Sequence, residues 1–275
     1  MKQTSARKSF KKRFGQSNHY LITTLVGLDG ISTNKIKTKP DSFSTSWNPR
    51  NASISADRSR NFVLNLFLIS AVESIEFYFG ILNKDPKPEF PSDLQKIFDS
   101  TGRKIYFRAI GMGKFLNVDE TLIAFVDLLI TWRNNITHAY AKNTLEDKNK
   151  NHLINEKDQI YSDYRGLDIV SCIEGAEEGK DVRFKEAASL INATHKFIEN
   201  VDCEFIKIFA GDIQQIIFDL VKKELRNNIS FRQRYFSKPE AERNNLVLNL
   251  VSNTVGACDY DWLEISVRIK KSELN

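Results

Sequence analysis

The sequence predicts a mainly α protein, a helical bundle with an irregular basic N-terminal arm and a short C-terminal strand. Three observations carry this reading. Apolar residues recur at spacing 3 to 4 through long stretches of the chain, the period of a helix with one buried face. Near the end, in "WLEISVRIK", Leu263, Ile265, Val267 and Ile269 instead alternate with Glu264, Ser266 and Arg268, the period of a half-buried strand. No glycine-rich phosphate loop and no G-x-S-x-G elbow is present, so the commonest α/β nucleotide-binding and hydrolase signatures are absent.

The arm comes first. Residues 1–57 hold ten Lys/Arg against three Asp, a balance of +7 within a chain whose net charge is +5. A basic arm on a nearly neutral body suggests an anionic partner, with nucleic acid leading, and Lys8, Lys11, Lys12 and Arg13 are the candidate RNA-binding residues. Pro40, Pro49 and many Ser, Thr and Asn predict irregular structure, with a hairpin around Gly27–Gly30. "YLITTLVGL", Tyr20 to Leu28, follows the basic start. Its two Thr and the lack of an A-x-A-like site after it read as a short strand or docking segment, not a signal peptide.

A helical bundle is predicted over 58–225. "RNFVLNLFLISAVESIEFYFGIL", Arg60 to Leu82, is apolar on nearly every side. Phe62, Leu66, Ile69, Val72, Glu76 and Phe79 mark one stripe, and Glu73 and Glu76 interrupt the surface. Phe77, Tyr78 and Phe79 read as core residues, not a base-stacking platform. "DPKPEFP" stops this helix, because its prolines forbid continuation. Short helices broken at Gly102 and at Gly111–Gly113 are expected next. A further helix is predicted over about 118–142, capped by Asn117 with Glu120 behind it. Leu122, Phe125, Leu129 and Trp132 form its stripe. "KNTLEDKNKNHLINEKD" reads as a polar connector. The pattern from Arg183 to Asn227 predicts one long helix or two, bent near Gly211. A C-terminal extension over 226–275 then holds a helix, capped by Ser237 with Pro239 and Glu240 in its first turn, and the strand.

Composition excludes several classes. Three widely spaced cysteines fit reduced thiols in a cytoplasm better than a disulfide framework. Together with four scattered His they offer no zinc spacing, so neither a metal nor another cofactor is expected. No uninterrupted apolar run reaches the roughly 18 residues that span a membrane, so a cytoplasmic protein without a membrane partner is expected.

The chemistry concentrates in "TWRNNITHAYA", Thr131 to Ala141, where Arg133, Asn134 and His138 follow the apolar stripe. On a continuing helix Asn134 and His138 share a face, and a long Arg133 reaches round toward a shared anion. RNA carries its own nucleophile, the 2′-OH. A base near neutral pKa must take that proton, and a cation with a fixed fork of donors must hold the phosphate. His138 and Arg133 supply those groups as catalytic candidates, and Asn134 supports them. A cation pair set against the negative end of a helix is the structural alternative.

"WRNNITHAYA" resembles the signature of the HEPN superfamily, R-[N/D/H]-x-x-x-H on a late core helix of an α-helical bundle. "LISAVESIEFYFGIL" is similar to the earlier core helix of such domains. The resemblance covers about residues 58–225. It implies a metal-independent endoribonuclease in a toxin–antitoxin or anti-phage defence system, with Arg133 and His138 catalytic, Asn134 supporting and Glu73 orienting them. It further implies a homodimer with a composite site, an RNA substrate such as tRNA or mRNA, and control by an antitoxin or other regulatory protein. The alternative is a non-catalytic nucleic-acid-binding or scaffold module. A nucleotide-binding helper of a transferase is a third reading, with no phosphate loop to support it.

Overall fold

The computed structural model describes residues 3–257 except 37, 38, 40, 41, 43, 45, 85, 86, 88, 103, 139, 141 and 210–212. The expected strand over Leu263–Ile269, and Cys258, lie outside these residues. The order is β1 (Gln3–Thr4), α1 (Ser5–Ser32), α2 (Ala52–Leu82), α3 (Ser92–Thr101), α4 (Ile105–Phe115), α5 (Glu120–Thr137), α6 (Asp147–Asn155), α7 (Lys157–Asp163), α8 (Ile169–Glu178), α9 (Phe184–Ile208), α10 (Ile213–Asn227), α11 (Ile229–Ser237), α12 (Glu240–Thr254) and β2 (Gly256–Ala257). The mainly α class that the periodicities predict is what forms. The chain divides into two compact units, 1–11 with 76–118 and 198–275, and 12–75 with 119–197.

The second unit carries the candidate site. Its central element is α5, where every residue from Leu122 to Trp132 is buried. The helix packs against α6 and α8. Its cap is Asp119, whose carboxylate accepts from the backbone N–H groups of Thr121 and Leu122, and not Asn117. Asn117 instead has φ +51 at the end of α4, a left-handed conformation that Asn tolerates and an N-cap does not use. Within α5, Asp127 is buried and its carboxylate is fully engaged. Oδ2 accepts from Glu146 N at 3.1 Å and Asn149 Nδ2 at 2.8 Å, and Oδ1 accepts from Thr131 Oγ1 at 3.3 Å. Burial pushes this carboxyl above the ordinary aspartate range, against the lowering effect of those hydrogen bonds.

Three expectations need correction in this unit. Residues 5–32 are not an irregular arm with a hairpin but the helix α1. Its buried stripe in this unit is Phe14, Leu21 and Leu25, too narrow among basic and polar residues to register as a helix period. The polar connector likewise folds as α6 and α7, with Leu145, Asn149, Leu153 and Ile160 buried on one thin face. On α2 the buried residues include Leu64, Phe67, Leu68, Ala71, Val72, Ile75 and Phe79, so Val72 and Phe79 of the expected stripe are covered, whereas Phe62 is 63% and Leu66 46% exposed. A helix apolar all round does not reveal from its own sequence which face is covered. By length and composition α2 is also apolar enough to cross a membrane, and half of its most apolar window is buried inside the protein.

The first unit holds the two short strands. β1 and β2 pair antiparallel, Gln3 with Ala257 and Thr4 with Gly256. A Cβ at Gly256, where φ is +146, would lie 2.2 Å from Gln3 O, so only glycine fits. Asp202 of α9, fully buried, accepts from Thr4 N at 3.0 Å, from the Thr4 hydroxyl and from Tyr78 Oη at 3.1 Å. Contrary to expectation, α4 runs unbroken through Gly111–Gly113. A Cβ at Gly111 would sit 3.3 Å from Ile97, so glycine there serves the approach of α3 and α4 and not a turn. The long pattern from Arg183 resolves into two helices, α9 and α10. The cap of α12 is Pro239, which makes no side-chain cap bond, while the Ser237 hydroxyl donates to Arg234 O instead. A small separate core of Ile217, Val221, Leu225, Phe231, Tyr235, Val247 and Val251 holds α10, α11 and α12 together.

Candidate active site

The motif sits where α5 ends. The helix closes at Thr137, not near 142, and His138 occupies the cap with extended backbone, φ −112 and ψ 105. Its N–H still donates to Asn134 O at 3.1 Å. His138 and Asn134 are therefore joined through the backbone and do not stack as side chains on one helical face. Two features end the helix here. Ile136 and Thr137 are β-branched, which lowers helix propensity, and the Thr137 hydroxyl donates back to Arg133 O. Asn135 then offers the chain a competing set of partners.

Asn135 is the residue that sequence reasoning passed over. Its Oδ1 accepts from Asn143 N at 2.8 Å and Asn143 Nδ2 at 3.0 Å. Its Nδ2 donates to Asn143 O at 2.8 Å and to Ala176 O at 2.9 Å. One amide thus joins Asn135 to Asn143 and fastens both to the end of α8. Two adjacent asparagines in the sequence do not show which one braces and which one faces the arginine.

Arg133 is mostly buried, with 16% of its side chain exposed. Nη1 donates to Asn134 Oδ1 at 3.0 Å, and Nη2 lies 3.7 Å from Glu73 Oε1 on α2. Nε is buried without a hydrogen-bond partner. The structure therefore brings Glu73, Arg133 and Asn134 together. His138 stands apart as a side chain. It is exposed, and among the described residues no hydrogen bond or ion pair engages its imidazole. The other histidines differ: the His152 ring nitrogen lies 3.0 Å from Thr121 Oγ1, and His195 packs 4.9 Å from Phe14 between ring centroids.

Lys8, Lys11, Lys12 and Arg13 are all exposed on α1. Lys8 and Lys11 belong to the first unit, Lys12 and Arg13 to the second. Lys8 Nζ donates to Asn253 Oδ1 at 3.3 Å. Among the described residues no group of three or more His, Cys, Asp or Glu is placed to hold a metal ion. A cleft of about 330 Å³ opens beside Trp132, lined by Ser171, Glu174, Lys180, Arg183 and Glu186 among others. Several of its polar groups are already engaged: Arg183 with Glu186, Lys180 with Glu178, Ser171 with Asp168. Arg133 keeps a buried Nε without a hydrogen-bond partner, and among the described residues none engages the His138 imidazole.

Comparison with family models, with characterised proteins and with solved structures returns no match to the chain.

Proposed function

We propose that this chain is a metal-independent endoribonuclease of the HEPN kind, acting in the cytoplasm within a toxin–antitoxin or anti-phage defence system. One observation carries the reading. A guanidinium braced by Glu73 and Asn134, with Nε unsatisfied, directly precedes a turn that presents an unengaged imidazole. Unsatisfied polar groups in a folded protein call for an explanation, and an anion held there supplies one.

In the proposed mechanism His138 takes the proton of a ribose 2′-OH. The oxygen attacks the adjacent phosphorus, and Arg133 donates to the phosphate oxygens as negative charge builds. The P–O5′ bond breaks, leaving a 2′,3′-cyclic phosphate and a 5′-OH that takes up one proton. No water is consumed. The second proton carrier is His138 of another copy, because one chain offers a single motif histidine. A homodimer needs a self-complementary patch. Phe62, Leu66 and Ile69 share with Glu73 a sector of roughly 60° on α2, by helical periodicity, and Phe62 and Leu66 are exposed. This apolar stripe leads to the candidate site and is the surface proposed to meet its copy. Lys8, Lys11, Lys12 and Arg13 supply salt-sensitive, sequence-independent attraction for RNA, and an inhibitory protein holds the enzyme in check.

Among the described residues no group orients the His138 imidazole, which favours the second reading, a non-catalytic nucleic-acid-binding or scaffold module. Purified protein incubated with total RNA in EDTA separates the two. The ribonuclease produces cyclic-phosphate ends. His138→Ala lowers the rate about 10²–10⁴-fold without altering fold or RNA affinity. Intact RNA with the wild-type protein, or equal cleavage by His138→Ala, overturns the ribonuclease reading.

A further inference from the structure

The helices α10, α11 and α12 share a core of their own, and their surface is rich in cations. Residues 213–254 hold seven Lys/Arg against Asp219, Glu224, Glu240 and Glu242, and no acidic residue lies between Leu225 and Pro239. Three of these four carboxylates are engaged within the same segment: Asp219 accepts from Gln215, Glu224 from Asn228 and Glu242 from Lys238. The cations are less occupied. Lys222 faces the Phe218 ring and Arg243 the Tyr235 ring, and Arg234 Nε donates to Ser230 O at 3.4 Å. Among the described residues no hydrogen bond or ion pair engages the side chain of Lys223, Arg226 or Arg232. Lys223, Arg226 and Arg234 are exposed, and Arg232 is half-buried.

We propose that the end of α10 and the adjoining α11 form a docking surface for the phosphate backbone of double-stranded nucleic acid, held by Lys223, Arg226, Arg232 and Arg234. This goes beyond the ribonuclease reading and does not depend on it. By helical periodicity Lys223 and Arg226 point away from Ile217 and Val221, which lie in the core. The stretch from Lys223 to Arg234 spans on the order of 20 Å at most. Three of the four cations are arginines, whose planar fork of donors matches phosphate oxygens. Exposed Asn227 and Gln233 add hydrogen-bonding groups between them. Phe231 and Tyr235 are buried, and Phe218 and Phe236 pack against the core, so these rings offer no platform for an unpaired base. Among the described side chains of α10–α12, Ile229 is the only large apolar one that is exposed, too little to enter a lipid surface. Phosphate contact remains. A duplex carries one charge per about 1.7 Å of its axis, about twice the density of one strand.

The test measures binding by fluorescence anisotropy over a series of salt concentrations, using the full chain with His138→Ala so that RNA stays uncut. The probes are mixed-sequence DNA and RNA duplexes of about 20 base pairs, two helical turns, the matching single strands, poly-glutamate, and vesicles of phosphatidylserine and phosphatidylcholine. Combining Lys223→Gln, Arg226→Gln, Arg232→Gln and Arg234→Gln lowers the slope of log K against log salt by about 3 to 4 and weakens duplex binding at least about tenfold. Single strands lose less. Arg226→Lys, Arg232→Lys and Arg234→Lys together keep the slope, because the charge is kept. Thermal unfolding checks each variant, and where the combined one unfolds, the single Gln substitutions each lower the slope by about 1. A loss on either duplex supports the proposal, and the tighter duplex names the source of the backbone. Unchanged duplex affinity and slope in the Gln variants overturns it. An equal or larger loss on single strands, poly-glutamate or vesicles overturns it as well, because the surface then serves another partner.

Discussion

Glu73 Oε1 lies 3.7 Å from Arg133 Nη2, which ties the outward edge of α2 to the motif helix α5. The pair is lopsided: Arg133 is mostly buried, while 48% of the Glu73 side chain is exposed. A half-exposed ion pair contributes little to folding, on the order of 0–1 kcal/mol. Its consequence is geometric, since the carboxylate and Asn134 together fix where the guanidinium stands. Glu73→Gln is therefore expected to change stability by less than about 1 kcal/mol. On the proposed ribonuclease reading, the same substitution is expected to lower RNA cleavage about tenfold and Arg133→Ala about 10²–10³-fold. The double variant cleaves no worse than Arg133→Ala alone, because residues acting as one unit are not additive. Chemical denaturation and cleavage rates of the three variants check this. A further loss in the double variant would show that Glu73 acts independently of Arg133.

Asn135 is expected to matter to the turn and not to the arginine. Asn135→Ala removes the acceptor of Asn143 N and the donor to Asn143 O and Ala176 O. Leaving such groups without partners costs about 1–3 kcal/mol. Limited proteolysis should then cut between 135 and 143, since freed surface turns are preferred sites of nicking. Urea unfolding and mapping of the fragments measure both effects. An unchanged cleavage pattern would count against the brace.

Asp127 is expected to make stability fall as pH rises. Its carboxyl lies above the ordinary aspartate range in the folded protein because of burial. The folded state therefore holds a proton that the unfolded chain has released. The stabilisation is fully present below the unfolded value and is lost as pH rises through the folded one. Asp127→Asn removes this slope. Its amide still accepts from Glu146 N and Asn149 Nδ2 and can donate to Thr131 Oγ1, so stability at neutral pH is kept or raised. Asp127→Ala strands those donors and costs about 1–3 kcal/mol or more. Urea midpoints of wild type and both variants, compared from about pH 4 to about pH 7, decide it. Asp202 is also raised by burial and acts with the same sign, so the difference between proteins, not the wild-type slope, isolates Asp127.

Much of the architecture was legible where an apolar stripe was broad. The stripe of α5 was read from Leu122, Phe125, Leu129 and Trp132, and all four are buried. Elements with thin stripes were lost among charges: α1 behind its basic residues, α6 and α7 behind Asn, Lys and Asp. On α2 the opposite problem arose. Abundant apolar residues left the covered face undetermined, and Phe62 and Leu66 turned out exposed. Within the motif, residue types showed that a cation, an amide and an imidazole stand close in the chain. They did not show that the helix stops between Thr137 and His138.

The sequence by itself determined the helical class, the presence of helices over 60–82 and 120–137 though not their ends, and the placing of Arg133, Asn134 and His138 within one short segment. Those features follow from local periodicity and residue chemistry, which each stretch carries on its own. Tertiary structure decided which partners Arg133 has and where α5 ends. The partner of Arg133 lies on α2, sixty positions earlier in the chain, and the brace on the turn runs from Asn135 to Asn143 and α8. Such contacts exist only once distant segments have packed, so no local period encodes them.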